Sequence, residues 1–446
     1  MRKQIQLSDH FTYGRLLRFT LPSIGMMVFT SIYSMVDGFF VSNFAGKTPF
    51  AAVNLIFPLL MILSTVGFMF GTGGSAIVAR TFGEQKPDQA NRYFSLFTYV
   101  AFAIGVLLAI LGIVFMRPLV MALGGTGEML ENAVLYGRII LIALPFNVLQ
   151  YLFQSFFVTA EKPKLGLTVS LSAGATNIVL DAVLVLLLPQ PYKLAGAAVA
   201  TAMSQVVGGA LPLLYFFRKN SSILRLGKTN LDGKAIFKAC TNGSSELMSN
   251  ISMNVVGMLY NLQLLKYAGE DGVAAYGVMM YVSFIFASAF IGYSVGTAPI
   301  FGYNDGAQNH IELKSLLRKS LIMTGLFGVC MVFVGLGLAR PMAKIFVGYD
   351  HALTDLTVSG FRIYALAFVF MGYAIFGSGF FTALNDGVTS AIISFLRTVV
   401  FQTAAVLLLP LIFDVTGIWM SVVVAEFMAM AFSFLFMLIK RKKHHY

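Results

Sequence analysis

The sequence predicts an all-α polytopic membrane protein, with twelve transmembrane helices in two pseudo-symmetric six-helix bundles around a central cavity. Three observations carry that expectation. Of 446 residues, 58% are apolar and only 11% charged, against about 25% charged in an ordinary soluble domain. The apolar residues fall in many runs of about 18 or more with few charges, the length a helix needs to cross a bilayer. The second half of the chain also repeats the first at a nearly fixed offset.

Taken in order, the expected spans are 14–44, 49–79, 94–116, 132–160, 165–188, 194–217, 237–267, 272–301, 315–338, 354–383, 388–411 and 416–439. Connections between them are short, except for residues 218–236, RKNSSILRLGKTNLDGKAI, whose composition is that of a solvated linker. Three regions follow: a first bundle at 1–217, a cytoplasmic linker at 218–236, and a second bundle with a short basic tail at 237–446. The first apolar run starts near Leu16 and lacks a small-residue cleavage pattern, so it is expected to stay as a span rather than to be removed as a signal.

A net charge of +12 on a soluble protein would point to nucleic acid, but the basic residues here sit at span ends. Counted over the segments, 22 of the 31 Lys and Arg fall on the side of the termini and the linker, 8 on the other, and Arg397 within a span. The excess of positive charge on one side places both termini in the cytoplasm. Of the two cysteines, Cys240 falls at the start of a span and Cys330 in the middle of one, so no disulfide is expected and nothing suggests a metal site. All five His lie in tails or connections, which excludes an intramembrane histidine relay.

The repeat is read from matched pairs. Ala45-Gly46 recurs as Ala268-Gly269, Gly73 as Gly296, Gly83 as Gly306, Arg117-Pro118 as Arg340-Pro341, and Thr159-Ala160 as Thr382-Ala383, all 223 residues apart. The offset becomes 221 for the LLLP motifs at 186–189 and 407–410, and for Gly196 against Gly417. A shift of six spans preserves orientation, so the repeat is parallel, with its axis along the membrane normal.

Polar residues inside spans mark the candidate site, because a charge in the hydrocarbon is costly and needs a partner, water or a cation. Leu21 to Phe40, LPSIGMMVFTSIYSMVDGFF, carries Pro22 near its start and Asp37 near its end, with Thr30 and Ser34 on the same stripe as Asp37. In the fifth span Asn177 and Asp181 are four apart, hence on one helix face; Thr201 lies in the sixth. Two carboxylates, an amide and a hydroxyl form an oxygen set suited to a hard cation, while burial and mutual repulsion also favour proton uptake. On the seventh span Glu246, Asn250, Asn254 and Asn261 form a polar stripe, readable as cavity wall or as a helix–helix hydrogen-bond ladder. Asn147, Gln150 and Gln154 make a similar stripe on the fourth. Arg397 and Glu426 are read as a structural ion pair, Glu426 matching Gln205 under the 221 offset. Pro22 is a candidate hinge.

These residues resemble the multidrug and toxic compound extrusion (MATE) family over essentially the whole chain: Pro22 and Asp37 on the first span, Asn177-x-x-x-Asp181 on the fifth, Ala200-Thr201 on the sixth, and glycine-bearing loops at Gly83 and Gly306. The resemblance implies a secondary antiporter that exports cationic amphipathic drugs against H+ or Na+ by alternating access. Asp37, Asn177, Asp181 and Thr201 would then form the first-half coupling site, holding Na+ if the protein is sodium-coupled. Glu246, Asn250, Asn254, Gln150, Gln154 and Ser34 would line the substrate cavity or the second half, with Pro22 as hinge. Glu246 matches the seventh-span glutamate of the sodium-coupled branch. The tenth-span aspartate of that branch would fall near Met371, where no acid stands. Expected partners are small organic cations, H+ or Na+ and the lipid bilayer, with no nucleic acid and no cofactor. A monomer in the plasma (bacterial inner) membrane is expected.

The alternatives are a flippase of lipid-linked sugars, which would want a more basic cavity, and another small-solute carrier. The glycine–aspartate–arginine signature of the major facilitator carriers is absent from RTFGEQKPDQANR at 80–92. An enzyme is not expected, since HExxH does not occur and no His lies inside a span.

Overall fold

The computed structural model describes residues 5–348 and 350–446, apart from the side chains of Phe39, Ser42, Asn43 and Asn254. The first half comprises α1 (Tyr13–Phe40), α2 (Lys47–Gly83), α3 (Pro87–Ala122), α4 (Gly127–Thr159), α5 (Pro163–Leu187) and α6 (Lys193–Phe217). The second comprises α7 (Gly233–Gly306), α8 (His310–Val347), α9 (His351–Ala365), α10 (Ala367–Ala383), α11 (Gly387–Phe395), α12 (Gln402–Leu408) and α13 (Pro410–His444).

Ten of the described helical segments are long and apolar enough to cross a membrane, and α9 with α10 makes an eleventh, bent by 45°. The long α7 supplies a further crossing because it is two legs broken at Gly269, whose φ of 64° and ψ of −154° no helix contains. Gly46, one repeat earlier, sits at φ 111° between α1 and α2. A side chain at either position would be strained, which is why glycine stands at both.

The turns repeat as well. Gln85 and Gln308, 223 residues apart, both have positive φ after a helix C-terminus; Glu161 and Asn385 do the same after α4 and α10. Local chemistry starts the following helices. Asn309 accepts the Glu312 N–H in the first turn of α8, and Asp386 accepts the Thr389 N–H at the start of α11, satisfying donors that a helix N-terminus leaves open.

Each half has its own apolar core, one spanning residues 41–239 and one 256–422. A third cluster joins the halves and includes Leu7, Phe11, Phe301 and Phe380. Backbone-close contacts between halves lie at the end that carries the termini. A Cβ on Gly83 would collide with the Tyr303 carbonyl, and one on Gly306 with the Arg80 carbonyl. Tyr303 and Arg80 are themselves 223 apart, so this contact is a quasi-two-fold one.

The link between halves is mostly exposed, as its composition implies, but it is anchored. It is not a free solvated tether: Leu224 and Leu226 are buried in the first-half core, Leu226 N–H bonds the Phe216 carbonyl, and Arg225 N–H bonds Asn91 Oδ1 at 2.7 Å. Two of its three leucines, Leu224 and Leu226, turn inward beside α3, and the helix after it begins at Gly233 rather than 237.

Candidate ion and substrate site

Three helices of the first half bring the sequence-selected oxygens together toward the end remote from the termini. Asp37 lies one turn before α1 passes into a π-helical stretch at Val41–Ala45, a local widening that often accompanies functional positions. Thr201 on α6 donates to Asp37 Oδ1 at 3.2 Å, and Asn177 Nδ2 on α5 reaches Thr201 Oγ1 at 3.4 Å. Asp181, one turn beyond Asn177, is fully buried, has no hydrogen-bond donor on either oxygen, and has the Asp37 carboxylate as its charged neighbour. Two such groups in an apolar surround repel unless a proton or small cation lies between them.

Tyr136 of α4 completes the group. It is buried, with its phenol close to Thr201 and to both acids. Sequence reasoning missed it, since nothing in the local sequence of α4 distinguishes it from a packing tyrosine. The set of two carboxylates, amide, hydroxyl and phenol offers hard oxygen donors. Among the described residues no three His, Cys, Asp or Glu side chains gather as a transition-metal site would require.

A cavity of about 500 Å3 lies mainly in the second half. Glu246, Asn250 and Asn261 of α7 line it, as do Thr72 and Ser75 of α2 and Ser155 of α4. Its apolar wall includes Met253, Met280, Met371 and Phe284, side chains able to adapt to varied ligands. Its charged lining is Glu246, Arg397 and Glu426. Arg397, in the π-helical stretch Leu396–Phe401, grips Glu426 with Nε at 2.8 and 3.1 Å and Nη2 at 2.9 Å. The structural pair expected from sequence is therefore present, and it also faces the cavity.

Three expected cavity residues lie elsewhere. Gln150 and Gln154 are buried inside the first half, Gln150 Nε2 reaching Tyr33 Oη at 3.3 Å, beside a small void shared with Gly208 and Ser170. They point away from the cavity because α4 runs through the interior of its own bundle. Ser34 is exposed and returns its hydroxyl to the Thr30 carbonyl of its own helix. Asn254 falls on α7, and its side chain lies outside the described residues. Pro22 is buried in an unbroken α1.

With the site in view, comparison with known proteins gives a consistent result. This is a multi-pass membrane transporter by its helices and by the family its halves match. The family model MatE matches residues 22–183 and 247–407, so the chain belongs to the MATE family, and is a transporter rather than an enzyme. The multidrug export protein MepA of Staphylococcus aureus (strain MRSA252) is 24% identical over 420 residues, 93% of this chain and 91% of that protein. The MepA of Staphylococcus haemolyticus (strain JCSC1435) is 24% identical over 417 residues, 93% and 90% of the two chains. Among solved structures, the outward-facing conformation of a multidrug resistance MATE family transporter of the MOP superfamily superposes with a TM-score of 0.93 at 20% identity, over 100% of this chain and 99% of that one. That likeness establishes the shared fold.

Proposed function

We propose that the protein exports cationic, amphipathic small molecules across the plasma membrane of a bacterium, exchanging them for H+ or Na+. The observation that carries this reading is the buried Asp181 facing Asp37 with no donor on either of its oxygens. Such a pair is stable only while it holds a small positive charge. Multidrug export by the MepA relatives supports the choice of cargo, as does a cavity that combines a methionine- and phenylalanine-bearing wall with the carboxylate of Glu246.

In this cycle the ion enters from outside and is held by Asp37, Asp181, Asn177 and Thr201. α1, which packs on α5 and also on α7 of the other half, then bends at Pro22 and passes the change to the cavity. Drug leaves outward, and release of the ion to the cytoplasm restores the empty acid pair. Both termini lie in the cytoplasm, on the basic side, and the working unit is a monomer. The flippase reading has less support, since the cavity's basic residue, Arg397, is already tied to Glu426.

The test is transport in proteoliposomes with an imposed ΔpH or ΔNa+ and a fluorescent organic cation. Efflux should follow one of the two gradients and vanish in Asp37→Asn. Gradient-driven efflux by Asp37→Asn at the normal rate overturns the assignment; translocation of lipid-linked sugar without dye efflux favours the flippase.

A further inference from the structure

The two halves treat equivalent positions in opposite ways. Under the 223 offset Asp37 corresponds to Tyr260. Under the 221 offset Asn177 corresponds to Thr398, Asp181 to Gln402 and Thr201 to Val422. Thr398, Gln402 and Val422 all line the cavity, so the second half keeps a ligand-facing surface there yet has lost both acids. What it adds is adjacent to those positions: Arg397, next to Thr398, and Glu426, one turn beyond Val422.

Their contact is deliberate in its geometry. Glu426 is 1% exposed and Arg397 17%, and three N–H···O bonds join them, with Gln402 Nε2 reaching the same Glu426 Oε1 at 3.4 Å. The guanidinium thus holds an acid as a bound cation would, and Gln402, the counterpart of Asp181, turns to that acid. Arg397 holds Glu426 through Nε and Nη2, and the arginine's charge also reaches Glu246 across the cavity. Of the cavity's three Glu and Arg residues, two are acids and one a base, and with Glu426 held by Arg397 the remaining acid is Glu246.

We infer that Arg397 is a tethered cation occupying the second half's counterpart of the coupling site, and that it thereby sets the cavity to select organic monocations over dications. This rests on the exporter reading for its cargo. The role of Arg397 is to position charge: it makes Glu426 unavailable to an incoming ion and confines coupling to the first half.

The test is equilibrium binding to purified protein in nanodiscs of tetraphenylphosphonium, with one charge, and a bis-quaternary ammonium of similar size, with two. Arg397→Gln should shift the preference toward the dication by roughly tenfold or more, as one added negative charge in a medium of effective dielectric 20 implies. Arg397→Gln with Glu426→Gln should restore the wild-type ratio, and Arg397→Lys should nearly keep it. An unchanged ratio in a folded Arg397→Gln protein overturns the inference. If no form binds either probe, the exporter reading falls. The inference is then decided by sodium titration: Arg397→Gln must gain a Na+-binding site that Arg397→Gln with Glu426→Gln lacks, and no added site refutes it.

Discussion

Asp181 is the residue on which the functional reading turns, and its meaning comes from what surrounds it rather than from its type. A carboxylate capping a helix would carry donors; this one carries none and faces Asp37. Asp37, Asn177, Asp181 and Thr201 were legible in the sequence because acids and amides inside apolar runs are conspicuous. Tyr136 was not, because a tyrosine in such a run is ordinary and only the fold brings α4 beside α6. Its hydroxyl nonetheless completes the donor set. Tyr136→Phe should leave folding intact and weaken binding of the coupling ion roughly fivefold, the cost of about 1 kcal/mol for one hydrogen bond, read by ion titration of the purified protein. Gln150 and Gln154 show the converse. Their polar stripe was visible, but a stripe gives a direction only relative to its own helix, and α4 turns it into its own bundle.

At the scale of elements, the twelve crossings and the repeat were readable because hydropathy and matched glycines survive at every level. Even the broken α7 is foreshadowed by Ala268-Gly269 echoing Ala45-Gly46. The link at 218–236 is polar and mostly exposed, and its composition hides two inward leucines, Leu224 and Leu226, that only tertiary packing uses. The contact of Gly83 with the Tyr303 carbonyl, mirrored by Gly306 and Arg80, closes the end bearing the termini. Gly83→Val should prop that end open, because backbone has nowhere to yield. In a protein with Cys240 and Cys330 replaced by Ser, a cysteine at the buried Ala79 should resist maleimide in the parent and react in the Gly83→Val form; equal resistance in both counts against this view of the seal.

Several polar contacts reinforce the same end. The segment after residue 4 ties both halves together: Leu7 N–H bonds Glu161 Oε1 at 2.7 Å in the first, and Phe11 N–H bonds Glu312 Oε1 at 2.9 Å in the second. Asp386 at the α10–α11 turn faces Lys440, Lys443 and His444. Burial alone would raise its carboxyl, but hydrogen bonds from Lys443, Thr389 and His444 outweigh that and hold it well below the usual carboxylate range. A depressed value contributes stability above the unfolded-state value and loses it only as pH falls through the lower folded one. Asp386→Asn should therefore lower the thermal midpoint in detergent by a few degrees at neutral pH, the deficit closing only in strong acid.

For the molecule as a whole, export follows if ion and drug exclude each other across a shared, two-state body. Linkage requires that the ion weaken drug binding by the same factor by which the drug weakens ion binding. The most direct measurement is therefore a reciprocal titration of ion and fluorescent organic cation on the purified protein, repeated with Asp181→Asn. The account predicts matched antagonism in the parent and its disappearance in the variant. Independent binding in the parent, or unaltered antagonism without Asp181, would contradict it.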